Sequence, residues 1–196
     1  QESPKPGDAR LARAFAAVVG GPQNLSRAAA RAARNLGLRV RCATKPIEGP
    51  VEDLVEKYMA RAGSMVRSGT GREVFVAVGE PTVEIPSGIT PGLGGRNQHL
   101  SLLMAKAMAG DEHMAFLSAG TDGTDGPTLA AGGIVDGHTV SELAQQGLDI
   151  DQVIGAYESY DALGRVNARL ETGPTDTNVA DLHLLAVEGR TSGRKK

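Results

Sequence analysis

Residues 38–59, LRVRCATKPIEGPVEDLVEKYM, change period partway along. Leu38, Val40 and Cys42 alternate with Arg39 and Arg41, the two-residue repeat of a strand with one solvated face. Val51, Leu54, Val55, Tyr58 and Met59 then recur at the spacing of an amphipathic helix. Upstream, the apolar run 15–19 closes at Gly20-Gly21-Pro22, and the Ala-rich stretch 24–36 stops at Gly37, which reads as strand, turn, helix. This βαβα beginning implies right-handed crossovers and a largely parallel sheet covered by helices.

Further along, residues 74–78 predict a strand, and past Gly79-Glu80-Pro81 residues 82–85 predict another, locally antiparallel to it, so the sheet is mixed. A loop with Pro86, Gly88, Pro91, Gly92, Gly94 and Gly95 opens onto a helix whose apolar face holds Leu100, Leu103, Met104, Ala107 and Met108. Residues 114–118 predict a strand, 139–146 and 152–163 two helices, and 182–187 a last strand. The expected fold is a three-layer αβα sandwich over 15–187, preceded by a linker-like segment, 1–14, and followed by a disordered tail, 188–196.

With 196 residues, 3% aromatic and no Trp, the core has to be built from Ala, Val and Leu, which suits closely packed α/β layers. A formal net charge of -2 offers no basic stripe for nucleic acid. No apolar run reaches the roughly 20 residues of a membrane span, and the first residues lack a signal-peptide core. Cys42 is the only cysteine, so no intrachain disulfide forms, and a reduced cytoplasmic setting is expected.

Three stretches carry chemistry. Gly94-Gly95-Arg96-Asn97-Gln98 places glycines and an arginine at a helix start, where free N–H groups attract anions. It reads either as a phosphate or carboxylate site or as a connector capped by Asn97. The Walker and dinucleotide fingerprints are absent. Thr121, Asp122 and Asp125 follow a strand end, where α/β sheets bind ligands. The two carboxylates could hold Mg²⁺, or one could take a proton from a hydroxyl, or the Asp-Gly pairs simply turn the chain. The stretch from Thr172 to Asp181 crowds hydroxyls, an amide and carboxylates, including Thr175 and Asn178, before a core strand. The histidines, His99, His113, His138 and His183, have no metal spacing, and G-x-S-x-G does not occur.

Taken in order, Gly79-Glu80-Pro81-Thr82, Gly94 to Gln98, Leu117 to Thr128 and Thr172 to Asp181 resemble the MOFRL domain of glycerate kinases, and the region from Pro4 to about Gly71 resembles the end of the domain before it. The resemblance implies ATP-dependent, Mg²⁺-assisted phosphorylation of D-glycerate to 2-phosphoglycerate, in a cleft shared with an amino-terminal kinase domain that this chain lacks. Arg96, Asp122 and Asp125 would be catalytic, the two aspartates binding the metal, with Gly94, Gly95, Asn97, Gln98, Thr121, Thr175 and Asn178 holding substrate or phosphate. The isolated chain would then be inactive, with a homo-oligomer left open. The chain departs from the family pattern at His99 and Leu129, where acidic residues are usual, and at Tyr157-Glu158-Ser159-Tyr160. A hydroxypyruvate reductase would need the missing nicotinamide fingerprint, and a non-catalytic anion-binding module remains the third alternative.

Overall fold

The computed structural model describes residues 3–15, 17, 19–67 and 71–189. The strands are β1 (Arg39–Cys42), β2 (Ile47–Pro50), β3 (Gly71–Thr82), β4 (Met114–Gly120), β5 (Gly132–Asp136), β6 (Arg169–Leu170) and β7 (Asp181–Gly189). They form one sheet in the order β1-β3-β7-β4-β5-β6, with β2 also beside β3. β1 and β2 pair parallel with β3, whereas β7 runs antiparallel to β3 and β4, and β5 antiparallel to β4 and β6. Strands β1, β2, β3, β4 and β6 therefore point one way and β5 and β7 the other. The sheet is mixed, with most strands sharing a direction, as expected.

Helices cover both faces. α2 (Val51–Arg67), α3 (Arg96–Ala107), α4 (Thr139–Gln145), α5 (Ile150–Gly155) and α6 (Ser159–Arg165) bury one face around Leu54, Tyr58, Phe75, Phe116 and Leu185. Each such side chain taken out of water contributes about 1.5–3 kcal/mol. α1 (Pro22–Asn35) lies on the other face, where Ala29, Ala32 and Ala33 line a groove with Leu117, Leu182 and Leu184. The pleat sorts β7 between these layers: Asp181, His183, Leu185 and Val187 are buried, while Leu182, Leu184 and Ala186 between them are half-buried. α3 is buried well beyond one stripe, with Leu100, Leu102 and Met104 fully enclosed, because sheet, α2, α5 and α6 surround it.

The structure corrects several sequence expectations. Phe15, Ala17 and Val19 are not in a strand, and Phe15 and Val19 are exposed; residues 16 and 18 lie outside the described residues. Residues 82–85 make no separate strand, since β3 runs on through Pro81 to Thr82. Pro81 lies past Gly79, the last β3 residue paired with β7, where a missing N–H is tolerated. The helix predicted over 152–163 is two helices, broken at Tyr157, whose φ is 54°. Cys42, expected half-buried, is exposed on edge strand β1. Glu188 and Gly189, placed by the sequence in a disordered tail, extend β7, and 190–196 fall outside the described residues.

Candidate active site

The sheet brings the carboxyl ends of β3 and β4 and the amino end of β7 to one edge, because Asp181 stands opposite both Gly79 and Gly120. The predicted loops meet there, and α3 begins at the same edge with Arg96.

The helix start already holds an anion, and that anion belongs to the chain. Asp125 Oδ1 accepts from Asn97 N–H at 3.1 Å and Asn97 Nδ2 at 3.2 Å; Oδ2 accepts from Gln98 N–H at 2.9 Å and Gln98 Nε2 at 3.0 Å. Gln98 Nε2 also donates to Thr128 Oγ1, and Ser118 Oγ donates to Asn97 Oδ1 at 2.5 Å. Asn97, Gln98 and Asp125 are all buried. Burial pushes the Asp125 carboxyl up, and the backbone and side-chain donors of Gln98 and Asn97 oppose it. Gly94, Gly95 and Gly126 permit the close fit. A Cβ at Gly95 would overlap the Asp125 carboxyl, and one at Gly126 would overlap the Gly94 carbonyl. This geometry makes Asp125 a helix cap donated from another loop.

Arg96 is oriented by two carboxylates that the sequence reading did not select as site residues. Its Nε donates to Asp181 Oδ2 at 2.7 Å and its Nη2 to Asp181 Oδ1 at 3.2 Å, a two-pronged contact with a buried carboxylate. Nη1 donates to Glu80 Oε1 at 3.0 Å, and the Glu80 side chain is 67% exposed. Glu80 belongs to the stretch 79–82 and Asp181 to 172–181, but nothing local couples them to Arg96. The Asp181 contact spans 85 positions and exists only once β7 is in place.

Arg96 and Asp122 line one cavity of about 460 Å³, with Thr82, Thr124 and Gly126. Asp122 Oδ1 accepts from Thr124 N–H at 3.1 Å, and its carbonyl accepts from Thr175 N–H at 3.1 Å. Thr121 Oγ1 donates to Ala180 O at 2.7 Å and accepts from Val179 N–H at 2.9 Å, while Thr175 Oγ1 donates to Thr121 O. Thr121 and Thr175 therefore bind the two loops to each other. Asn178 is exposed, and its Oδ1 accepts from Ala180 N–H at 3.4 Å. A second cavity, of about 260 Å³, lies on the other side of Arg96 and is lined by Val83, His99 and Tyr157. Among the described residues no three His, Cys, Asp or Glu side chains converge as a metal cluster, and no helix is long and apolar enough to cross a membrane.

A mixed sheet covered by helices on both faces, with a clasped helix start and a carboxylate-held arginine at one edge, defines an α/β domain. The MOFRL family model matches residues 73–181, and the chain belongs to that family. It is 37% identical over 170 residues to glycerate 2-kinase of Pyrococcus horikoshii, covering 84% of this chain and 38% of the relative. It is 40% identical over 129 residues to glycerate kinase of Homo sapiens, covering 62% and 24%. The crystal structure of glycerate kinase from Thermotoga maritima superposes with a TM-score of 0.78 at 36% identity, covering 87% of this chain and 41% of that one. The chain thus spans about two fifths or less of the relatives' own lengths.

Proposed function

We propose that this chain supplies one wall of a glycerate kinase site, at which ATP phosphorylates D-glycerate to 2-phosphoglycerate in the cytoplasm, together with an amino-terminal kinase domain. The observation that carries this reading is Arg96, held by buried Asp181 on the rim of the cavity that Asp122 also lines. Phosphoryl transfer needs positioning and charge stabilisation more than covalent help from the protein. A guanidinium fixed along one edge by Asp181 meets developing phosphoryl charge without having to reorganise. The exposed Glu80 occupies Nη1 until an anion displaces it, whereas Asp181 stays.

Asp125 is engaged by four N–H donors, so Asp122 is the carboxylate left for ligand chemistry in this cavity. One carboxylate plus nucleotide phosphates suits Mg²⁺, and Asp122 fits that part. The ion would neutralise phosphate charge. Thr121 and Thr175 keep the Asp122 loop in place, and exposed Asn178, on the loop that Thr175 ties to it, would contact substrate.

The test is a coupled ADP-release assay with glycerate, on the chain combined with the segment of the P. horikoshii enzyme it does not match. Arg96→Ala should lower kcat/KM at least about 100-fold, near 2.7 kcal/mol. Unchanged kinetics in a folded variant would overturn the assignment.

A further inference from the structure

The second cavity contains polar groups that the reading above does not use. His99 is 4% exposed and Ser159 1%, both line the cavity, and His99 Nδ1 and Ser159 Oγ are buried with no hydrogen-bond partner. Unpaired buried polar atoms are costly and rare, and two of them on one cavity mark it as a place for a polar ligand.

The walls are built to stay in place. The His99 ring stacks on Tyr157, with centroids 5.0 Å apart and planes 17° from parallel. Tyr157 holds a positive φ of 54°, and its hydroxyl donates to Glu84 O at 3.2 Å. The opposite loop is latched to the α5–α6 turn by Gly92 N–H to Ala156 O at 2.8 Å and Tyr160 N–H to Leu93 O at 2.9 Å. A Cβ at Gly94 would overlap Ser159 Oγ. Strained backbone over-determined by its surroundings is typical of ligand sites.

The chemistry of the occupant follows from the lining. Val83, Ile85, Pro91 and Pro127 give apolar walls that a three-carbon hydroxy acid would leave unfilled. Burial lowers the His99 pKa, against a weaker opposing pull from Glu52, so its imidazole is neutral. A neutral ring that both donates and accepts complements an uncharged heterocycle rather than a carboxylate. Arg96 lines both cavities, so a ligand seated here extends its tail across the guanidinium towards Asp122.

We propose that this cavity receives the uncharged heterocyclic base of the phosphoryl donor, with His99 and Ser159 as its hydrogen-bonding groups. The proposal rests on the kinase reading and adds to it where the nucleoside lies.

The experiment titrates the ¹⁵N-labelled chain separately with adenosine, ADP, tripolyphosphate and glycerate, following amide shifts. Adenosine should saturably shift Gly94, His99 and Ser159, and ADP should shift these and Arg96. His99→Phe keeps a ring on Tyr157 but removes the nitrogens, and Ile85→Phe fills the cavity from a wall residue that does not line the Asp122 cavity. Each should weaken adenosine at least tenfold and leave tripolyphosphate unchanged. Adenosine that misses these residues, adenosine binding that both variants leave unaltered, or glycerate taking the cavity instead would overturn the proposal. If tripolyphosphate still shifts Arg96 and Asp122 in that case, the kinase reading stands and only the subsite falls. If no phosphate compound or glycerate reaches Arg96, the kinase reading falls and takes the subsite with it.

Discussion

Asp122 and Asp125, in one glycine-rich turn, have different fates. Asp122 stays at the cavity, while Asp125 accepts from Asn97 and Gln98 and becomes the cap of α3. Asp125→Asn replaces one acceptor oxygen by a donor that faces N–H groups. It should cost on the order of 3 kcal/mol of stability, seen as a lower urea midpoint, without changing the Mg²⁺ dependence of turnover. An altered metal dependence at unchanged stability would restore Asp125 to the ligand set. The carboxylates around Arg96 should separate in the same way. Asp181→Asn breaks a buried charge-assisted fork and should lower kcat/KM roughly 10- to 100-fold. Glu80→Gln, at an exposed position, should leave kcat intact and tighten the anionic ligand by a few-fold, read in KM. Equal effects from both substitutions would refute the division between a permanent partner and a displaceable one.

Among the elements, β7 carries the most consequence. His183 on it is fully buried, its Nδ1 hydrogen-bonded to Tyr58 Oη at 2.5 Å, and burial lowers its pKa to about 4, with Asp181 raising and Arg96 lowering it further. The unfolded imidazole titrates near 6.5 and so binds a proton that the folded one refuses until about pH 4. Stability contributed by the neutral ring is therefore present above pH 6.5 and lost as pH falls towards 4, on the order of 3 kcal/mol across that window. Urea midpoints at pH 7.5 and 5 should show the loss, and His183→Asn should flatten the slope. Much of the framework was legible in the sequence. The cores of β3 and β4 are Val, Ala, Phe and Leu runs, that of β7 is a Leu, Ala and Val run broken by His183, and α1 and α3 start and stop near their glycines. β5 was not legible, because Gly132-Gly133 resembles a turn, and its glycines are needed where Ser118 and Ser101 come close. Nor was the break between α5 and α6, since a tyrosine at positive φ carries no sequence mark. At the α3 start the sequence leaves an anion site and a capped connector both open, and the carboxylate that caps it, 28 positions away, is fixed by topology alone.

At the scale of the whole molecule, the cavity shared by Arg96 and Asp122 is open, and the chain spans about two fifths or less of its relatives. The chain by itself should fold yet turn over glycerate and ATP slowly or not at all, because a half-built cleft leaves the transferring group hydrated. Adding the unmatched segment of the P. horikoshii relative should restore ADP release. Fast turnover by the chain alone would show that the site is complete within it. The placement of β7 has a further consequence, for biosynthesis. Among the described residues β7 is the last strand, and it lies in the middle of the sheet between β3 and β4, so the translating ribosome makes both of these strands before the one that joins them. Until Asp181 to Gly189 leave the exit tunnel, β3 and β4 have open edges that invite pairing with other chains. Arg96 also has no buried carboxylate to hold it during that interval. On the reading proposed above, the arginine at the α3 start would thus gain its fixed carboxylate, and with it a settled hold on an anion, only once β7 has been made.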